Sequence, residues 1–227
     1  MNILYDIKNT TKKYNEDDYT PIDNISMTVN EGDFISIEGP SGTGKSTLLY
    51  LMGGLIKPTS GQLLFKGTDI ASLSDKEKTK WRKNNTSFIF QETILFSALS
   101  AWENLTEALW LKEKISKSKV KEKADFFIEK MGLSDRKNYL PHQLSVGQRR
   151  RLIIARALMG SAPLILADEP TNDLDDKWSE IITDLFTQRA KENNAVIMVT
   201  HNKKWSQKAF TSYKLENGKI SKNIIVP

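Results

Sequence analysis

The chain has 227 residues, 39% of them hydrophobic, enough for a sizeable core in one large domain or two small subdomains. It has no cysteine and only two histidines, which excludes disulfides, thiolate metal sites and a histidine-rich zinc centre. No run approaches the roughly 18 apolar residues of a membrane-spanning helix, and the start Met1-Asn2-Ile3-Leu4-Tyr5-Asp6 lacks the pattern of a signal peptide, so a cytoplasmic location is expected.

The net charge is +5, from 33 basic and 28 acidic residues, a mild excess that suits an anionic membrane surface or nucleic acid and selects neither. The densest basic run, residues 112–123, interleaves acids and lacks aromatics. It reads as a solvated helix surface, and no direct nucleic-acid partner is expected.

In chain order, Ile3-Leu4-Tyr5 and the alternating residues 22–29 predict strands of a β-rich N-terminal layer. Phe34-Ile35-Ser36-Ile37 is a short apolar strand, and Gly39-Pro40-Ser41-Gly42-Thr43-Gly44-Lys45-Ser46 comes next with the spacing of a P-loop. Glycines let successive N–H groups turn onto phosphates, and the helix beginning at the end of the loop aims the positive end of its dipole at them. A nucleoside triphosphate is the expected ligand, with Lys45 on the outer phosphates, Ser46 on Mg²⁺ and Thr47 beside it in the loop-to-helix turn.

Beyond the P-loop helix come a turn at residues 58–61, a strand at 62–65, and a helix from Ser74 to Arg82 with Ser74 and Glu77 as a capping box. A buried strand is expected at 87–90. Strands then stop from about 100 to 159, where helices are predicted at 101–110, 117–131 and 147–159, an inserted helical subdomain. The apolar runs 164–167 and 195–199, separated by a helix over much of 177–192, read as parallel strands covered on both faces, and residues 212–225 as a hairpin turning at Asn217-Gly218.

Leu164-Ile165-Leu166-Ala167-Asp168-Glu169 ends an apolar strand in two carboxylates that point different ways, so each can take its own task. Asp168 is expected to hold Mg²⁺ through its water shell, and Glu169 to act as general base toward the attacking water.

Leu144-Ser145-Val146-Gly147-Gln148, some twenty residues ahead of that pair, resembles the signature of ABC-type ATPases; from the residues alone, Ser145 is a helix N-cap candidate and Gly147 permits close backbone approach. The resemblance covers nearly the whole chain. It implies an α/β fold with a RecA-like P-loop NTPase core, an N-terminal antiparallel β layer and an inserted helical subdomain: one domain over 1–227, with 1–98 and 160–227 forming the β layer and core and 99–159 the helical part.

It also implies that Gln91 contacts Mg²⁺ and water, that Asp173 in Asn172-Asp173-Leu174-Asp175 lies at a dimer interface, that His201 senses the γ-phosphate, and that Tyr14 stacks on adenine, a task open also to Tyr5 or Tyr19. Two copies would sandwich two ATPs, with Ser145, Gly147 and Gln148 of one completing the phosphate site of the other. Departures from the family pattern are Val146 where glycine is usual and Asp173 where a small or amide residue is commoner.

The function so implied is an ATPase at the cytoplasmic membrane face, driving a separate transmembrane permease docked near Ile94-Leu95-Phe96 and Trp102. The segments 39–49, 53–61 and 103–105 look most like the lipoprotein-releasing, macrolide-exporting and antimicrobial-peptide-exporting branch. The alternative is an ATPase that regulates cell-wall or cell-division machinery through a membrane partner without transport. A GTPase is excluded because Asn202-Lys203-Lys204-Trp205 lacks a guanine-reading aspartate.

Overall fold

Alternation along three strands, β3 (Phe34–Glu38), β7 (Leu164–Asp168) and β8 (Ala195–Thr200), sets the architecture in the computed structural model, which describes residues 2–14, 19–113 and 115–223. Ile35, Ile37, Leu164, Leu166, Ala195, Ile197 and Val199 enter one core; Phe34, Ile165, Ala167, Val196 and Met198 enter a second. Successive side chains leave a strand on opposite faces, so strands that are apolar at nearly every position separate two cores.

These strands form the centre of a six-stranded sheet of order β10-β9-β3-β8-β7-β6, with β6 at Thr86–Ile89, β9 at Thr211–Glu216 and β10 at Lys219–Lys222. Every pairing from β9 to β6 is parallel, and β10 returns antiparallel through the expected Asn217-Gly218 turn. Positions 224 and 225 of the expected hairpin lie outside the described residues.

The first core lies between this sheet and an antiparallel sheet of order β2-β1-β4-β5, built from β1 (Ile3–Lys12), β2 (Ile22–Asn30), β4 (Ser60–Phe65) and the two-residue β5 (Thr68–Asp69), together with helix α1 (Lys45–Met52). Tyr5 is fully buried in it, edge-on to Phe65. The second core holds α3 (Ala101–Lys112), α4 (Lys117–Lys130), α5 (Val146–Leu158) and α6 (Asp176–Lys191). It is continuous from the helices at 101–158 into the sheet.

Caps start the helices where polar side chains predict them. Ser74 and Glu77 close the capping box of α2 (Asp75–Asn85), Ser100 and Glu103 that of α3, and Ser145 and Gln148 that of α5. Four small elements are absent from the sequence expectation: β5, 3-10 turns at Ser134–Arg136 and Pro141–Gln143, and α7 (Lys203–Ser206), capped by Asn202. Each is too short to carry a hydrophobic period. No helix among the described residues is long and apolar enough to cross a membrane.

Candidate functional site

The C-terminal ends of β3, β7 and β8 open on a cavity of about 580 Å³, the position where open α/β sheets bind ligands. Its walls come from the P-loop (Pro40, Ser41, Gly42, Gly44, Lys45, Ser46, Thr47), the end of β7 and the turn after it (Asp168, Glu169, Asn172), Gln91 and His201. Four segments separated by up to about 160 residues in sequence are thus brought to one place by parallel strand order.

The loop is shaped by glycine. Gly44 precedes α1 at φ 97°, and a Cβ there would lie 2.4 Å from the Pro21 carbonyl, so neither the conformation nor the space admits a side chain. Gly39 is tight for a different reason: a Cβ would meet the Leu215 carbonyl at 2.4 Å. Thr43 Oγ1 donates to Pro40 O at 2.9 Å, and Lys45 Nζ donates to Gly39 O and Pro40 O, both at 2.8 Å. Lys45 is therefore a nearly buried ammonium curled over its own loop, at the start of a helix whose free N–H groups face the same side.

The two carboxylates at the end of β7 do take different surroundings. Asp168 is 1% exposed, lies beside the Ser46 hydroxyl, and keeps Oδ2 buried without a partner. Burial raises its pKa above the ordinary carboxylate value, the polar Ser46 hydroxyl opposes that shift, and the neighbouring Glu169 adds to it. Glu169 sits at φ 46°, in the left-handed region that glutamate seldom adopts. Its N–H donates to Val199 O at 3.0 Å, and its Oε1 lies 3.0 Å from His201 Nδ1.

A second cavity of about 680 Å³ shares Gln91, Asn172 and His201 with the first and adds Glu92 and Asp173. Asp173 is also at positive φ, 65°, and its carbonyl lies 3.2 Å from where a Gly147 Cβ would be. Asp175 caps α6, accepting from Trp178 N at 2.9 Å. Ser145, Gly147 and Gln148 line neither cavity; they form the capped start of α5, with Val146 half-exposed beside them.

Tyr14 also stands outside the cavity lining, half-exposed with Lys12 Nζ 5.1 Å from its ring centroid, whereas Tyr19 lines the cavity and donates its hydroxyl to Gly42 O. Tyr5 is a core residue. Of the expected docking residues, Ile94 and Phe96 are exposed, while Leu95 and Trp102 pack on the core, with Trp102 Nε1 donating to Asp125 at 2.9 Å. Near them a groove of about 400 Å³ is lined by residues that include Leu55, Phe88, Phe90, Leu109, Leu111 and Arg156.

Arg150, which no sequence motif marks as functional, is fully buried among the carbonyls behind the site. A signal for it exists: three successive arginines turn through about 200° of a helix, so Arg149, Arg150 and Arg151 cannot all face water ahead of Leu152-Ile153-Ile154.

A family model described as ABC transporter matches residues 22–172. The chain is 38% identical over 226 residues to a lipoprotein-releasing system ATP-binding protein of Buchnera aphidicola, covering 98% of each, and 35% identical over 219 residues to a macrolide export ATP-binding/permease protein of Hyphomonas neptunium, covering 96% of this chain and 34% of that one. A solved ATP-binding cassette dimer in a post-hydrolysis state, bound to ADP and Pi, matches at a TM-score of 0.90 and 34% identity over 98% of this chain and 99% of that one. The P-loop geometry, the paired carboxylates and these likenesses agree: the chain belongs to the ABC transporter family, as an ATP-binding cassette that hydrolyses ATP.

Proposed function

We propose that this chain is the energy-converting subunit of an exporter, seated at the cytoplasmic face of the membrane and driving a separate permease through ATP-dependent head-to-tail dimerisation. The carrying observation is the division of motifs: the P-loop, Gln91, Asp168, Glu169 and His201 share one cavity, while Ser145, Gly147 and Gln148 line neither that cavity nor the one beside it. A second copy supplies the missing phosphate donors from the start of its α5, and the half-exposed Val146 stands where that copy closes.

The residues present fit a Mg²⁺ that arrives with ATP. Asp168 holds a buried unpartnered oxygen beside the Ser46 hydroxyl, a pair of hard oxygen donors that suits this ion. The ion would be held by Ser46 directly, by Asp168 through water and by Gln91, and it supplies charge neutralisation to the phosphates. Lys45 binds the outer phosphates, Glu169 takes the proton of the attacking water, and His201 bonds the γ-phosphate while orienting Glu169. Tyr14 stacks on adenine, with Tyr19 bracing the loop. Loss of the γ-phosphate releases the two copies, which is the mechanical output.

The groove beside Phe88 and Phe90, rimmed by the 66%-exposed Leu111, receives the permease. The test is purification of the membrane complex with Glu169→Gln and ATP. An integral membrane protein should co-purify and be lost with Leu111→Glu, which leaves ATP hydrolysis by the free cassette unchanged. Recovery of ribosomes or nucleic acid alone would overturn the reading, and a partner that binds cell-wall hydrolases but moves no substrate would establish the regulatory alternative.

A further inference from the structure

Arg150 makes five hydrogen bonds, one for each guanidinium N–H, and every acceptor is a main-chain carbonyl. Nε donates to Pro170 O at 3.3 Å, Nη1 to Phe90 O at 2.6 Å and Gln91 O at 3.0 Å, and Nη2 to Asp168 O at 2.9 Å and Glu169 O at 2.5 Å. The side chain is 0% exposed. Burial pulls the guanidinium pKa down while Asp173, Asp168 and Glu169 pull it back up, and a guanidinium stays charged in either case.

Those five carbonyls belong to two segments that meet nowhere else in sequence: the residues after β6 that present Gln91, and the end of β7 that presents Asp168 and Glu169. The guanidinium itself stands on the second turn of α5, whose first turn is the capped Ser145, Val146, Gly147 and Gln148. A planar fork with fixed donor directions specifies the relative positions of its acceptors far more tightly than a flexible amine does. A shift of Gln91 or Glu169 by half an ångström must therefore lengthen these bonds or carry α5 along.

We propose that Arg150 is a positioning residue that links the two half-sites of the cassette: through it, the backbone that holds Gln91 and Glu169 at this chain's own ATP moves together with the helix start that seats on the ATP of the second copy. The inference rests on the proposed head-to-tail dimer and deepens it. Closure around nucleotide in one site would reset the signature helix that completes the other, without a further moving part. Phe90 also lines the permease groove, so the same guanidinium stands between that groove and the backbone that presents Gln91 and Glu169.

The experiment compares the parent with Arg150→Lys, which keeps the charge and loses the fork, and Arg150→Gln, which keeps two donors. ATP affinity, kcat and KM are measured on the free cassette, and ATP-driven dimerisation is read by light scattering in the Glu169→Gln background. Both variants should hold ATP with a Kd within about threefold of the parent, because the P-loop is untouched, while kcat falls on the order of tenfold to a hundredfold and the ATP-bound dimer weakens.

A purely structural arginine would lower the melting temperature and leave kcat of the folded fraction alone, and that result overturns the proposal. So does loss of kcat with full dimerisation, which would confine Arg150 to its own site, or an Arg150→Lys variant equal to the parent in both. Should both variants fail to fold, hydrogen exchange on the dilute, monomeric parent decides: a non-hydrolysable ATP analogue should protect residues 144–149 together with 90–94, and protection of 90–94 alone refutes the link. A parent that neither binds nor hydrolyses ATP would instead sink the functional reading itself.

Discussion

His201 Nδ1 lies 3.0 Å from Glu169 Oε1, and the main-chain N–H of His201 reaches Glu169 Oε2 at 3.4 Å, so one histidine at the end of β8 holds both oxygens of one glutamate at the end of β7. The glutamate side chain is almost buried and the imidazole is 61% exposed, so the ring is the element that can meet a ligand arriving from solvent. Glu169→Gln removes the proposed base while leaving a side chain of the same shape, and hydrolysis should fall about 10²- to 10⁴-fold with ATP still bound. His201→Ala should lower kcat less, since the carboxylate remains. Single-turnover phosphate release checks both, and a Glu169→Gln protein that keeps a tenth of the parental rate would place the base elsewhere.

Asp168 makes the empty cassette less stable than it could be. Its folded pKa lies above the unfolded value, chiefly from burial, so the native state holds its proton more tightly and stability is lost as pH rises through the carboxylate range to the raised folded value. Asp168→Asn removes a buried charge with an unpartnered oxygen and keeps a carbonyl oxygen beside Ser46. Without nucleotide and Mg²⁺, the variant should melt a few degrees higher than the parent at pH 7.5, with the gain shrinking as the pH is lowered. Its Mg²⁺-dependent ATPase should be lost at every pH. A lower melting temperature at pH 7.5 would show that the carboxylate is compensated.

Gly42 and Gly44 separate conformation from space. Both have positive φ, 79° and 97°, but a Cβ on Gly42 meets nothing within 4 Å, whereas one on Gly44 would press on Pro21 O and on Pro21 Cβ at 2.9 Å. Gly42→Ala should cost about 1–2 kcal/mol for the left-handed backbone alone. Gly44→Ala adds overpacking against Pro21, the residue before β2, and should cost about 2–5 kcal/mol in all. Urea unfolding measures the difference; equal costs would mean that the Pro21 segment yields freely.

Much of the site was legible in the sequence because its motifs are local. The P-loop needs only glycine spacing before a helix, Ser145 and Gln148 announce a cap three residues apart, and the apolar run 164–167 fixes where Asp168 and Glu169 emerge. The features that stayed hidden depend on contacts distant in sequence. Arg150 reads as one more charge in a basic run until β6 and β7 are seen to end beside it. Tyr14 and Tyr19 are five residues apart, and nothing in their spacing says that Tyr19 is the one reaching the Gly42 carbonyl. The sequence leaves Trp102 open between a docking surface and packing inside the helical subdomain, and its indole, bonded to Asp125 on α4, packs on the core.

Val146 occupies the second position of the signature with half of its surface exposed, directly between the capping Ser145 and Gly147. A Cβ on Gly147 would lie 3.2 Å from Asp173 O and 3.7 Å from Leu174 Cδ2, a tight fit against this chain's own turn, which leaves the Val146 face as the open side of the helix start. A β-branched side chain there keeps its methyl groups near the first helical N–H groups and holds the phosphate farther from them. Val146→Gly should strengthen the ATP-bound dimer and raise kcat severalfold, at a stability cost of about 1 kcal/mol or less for glycine in the first helical turn. The ATPase rate and the dimerisation constant are the two readouts. If both match the parent, the valine is no obstacle to closure, and turnover is set by the Glu169 and His201 pair.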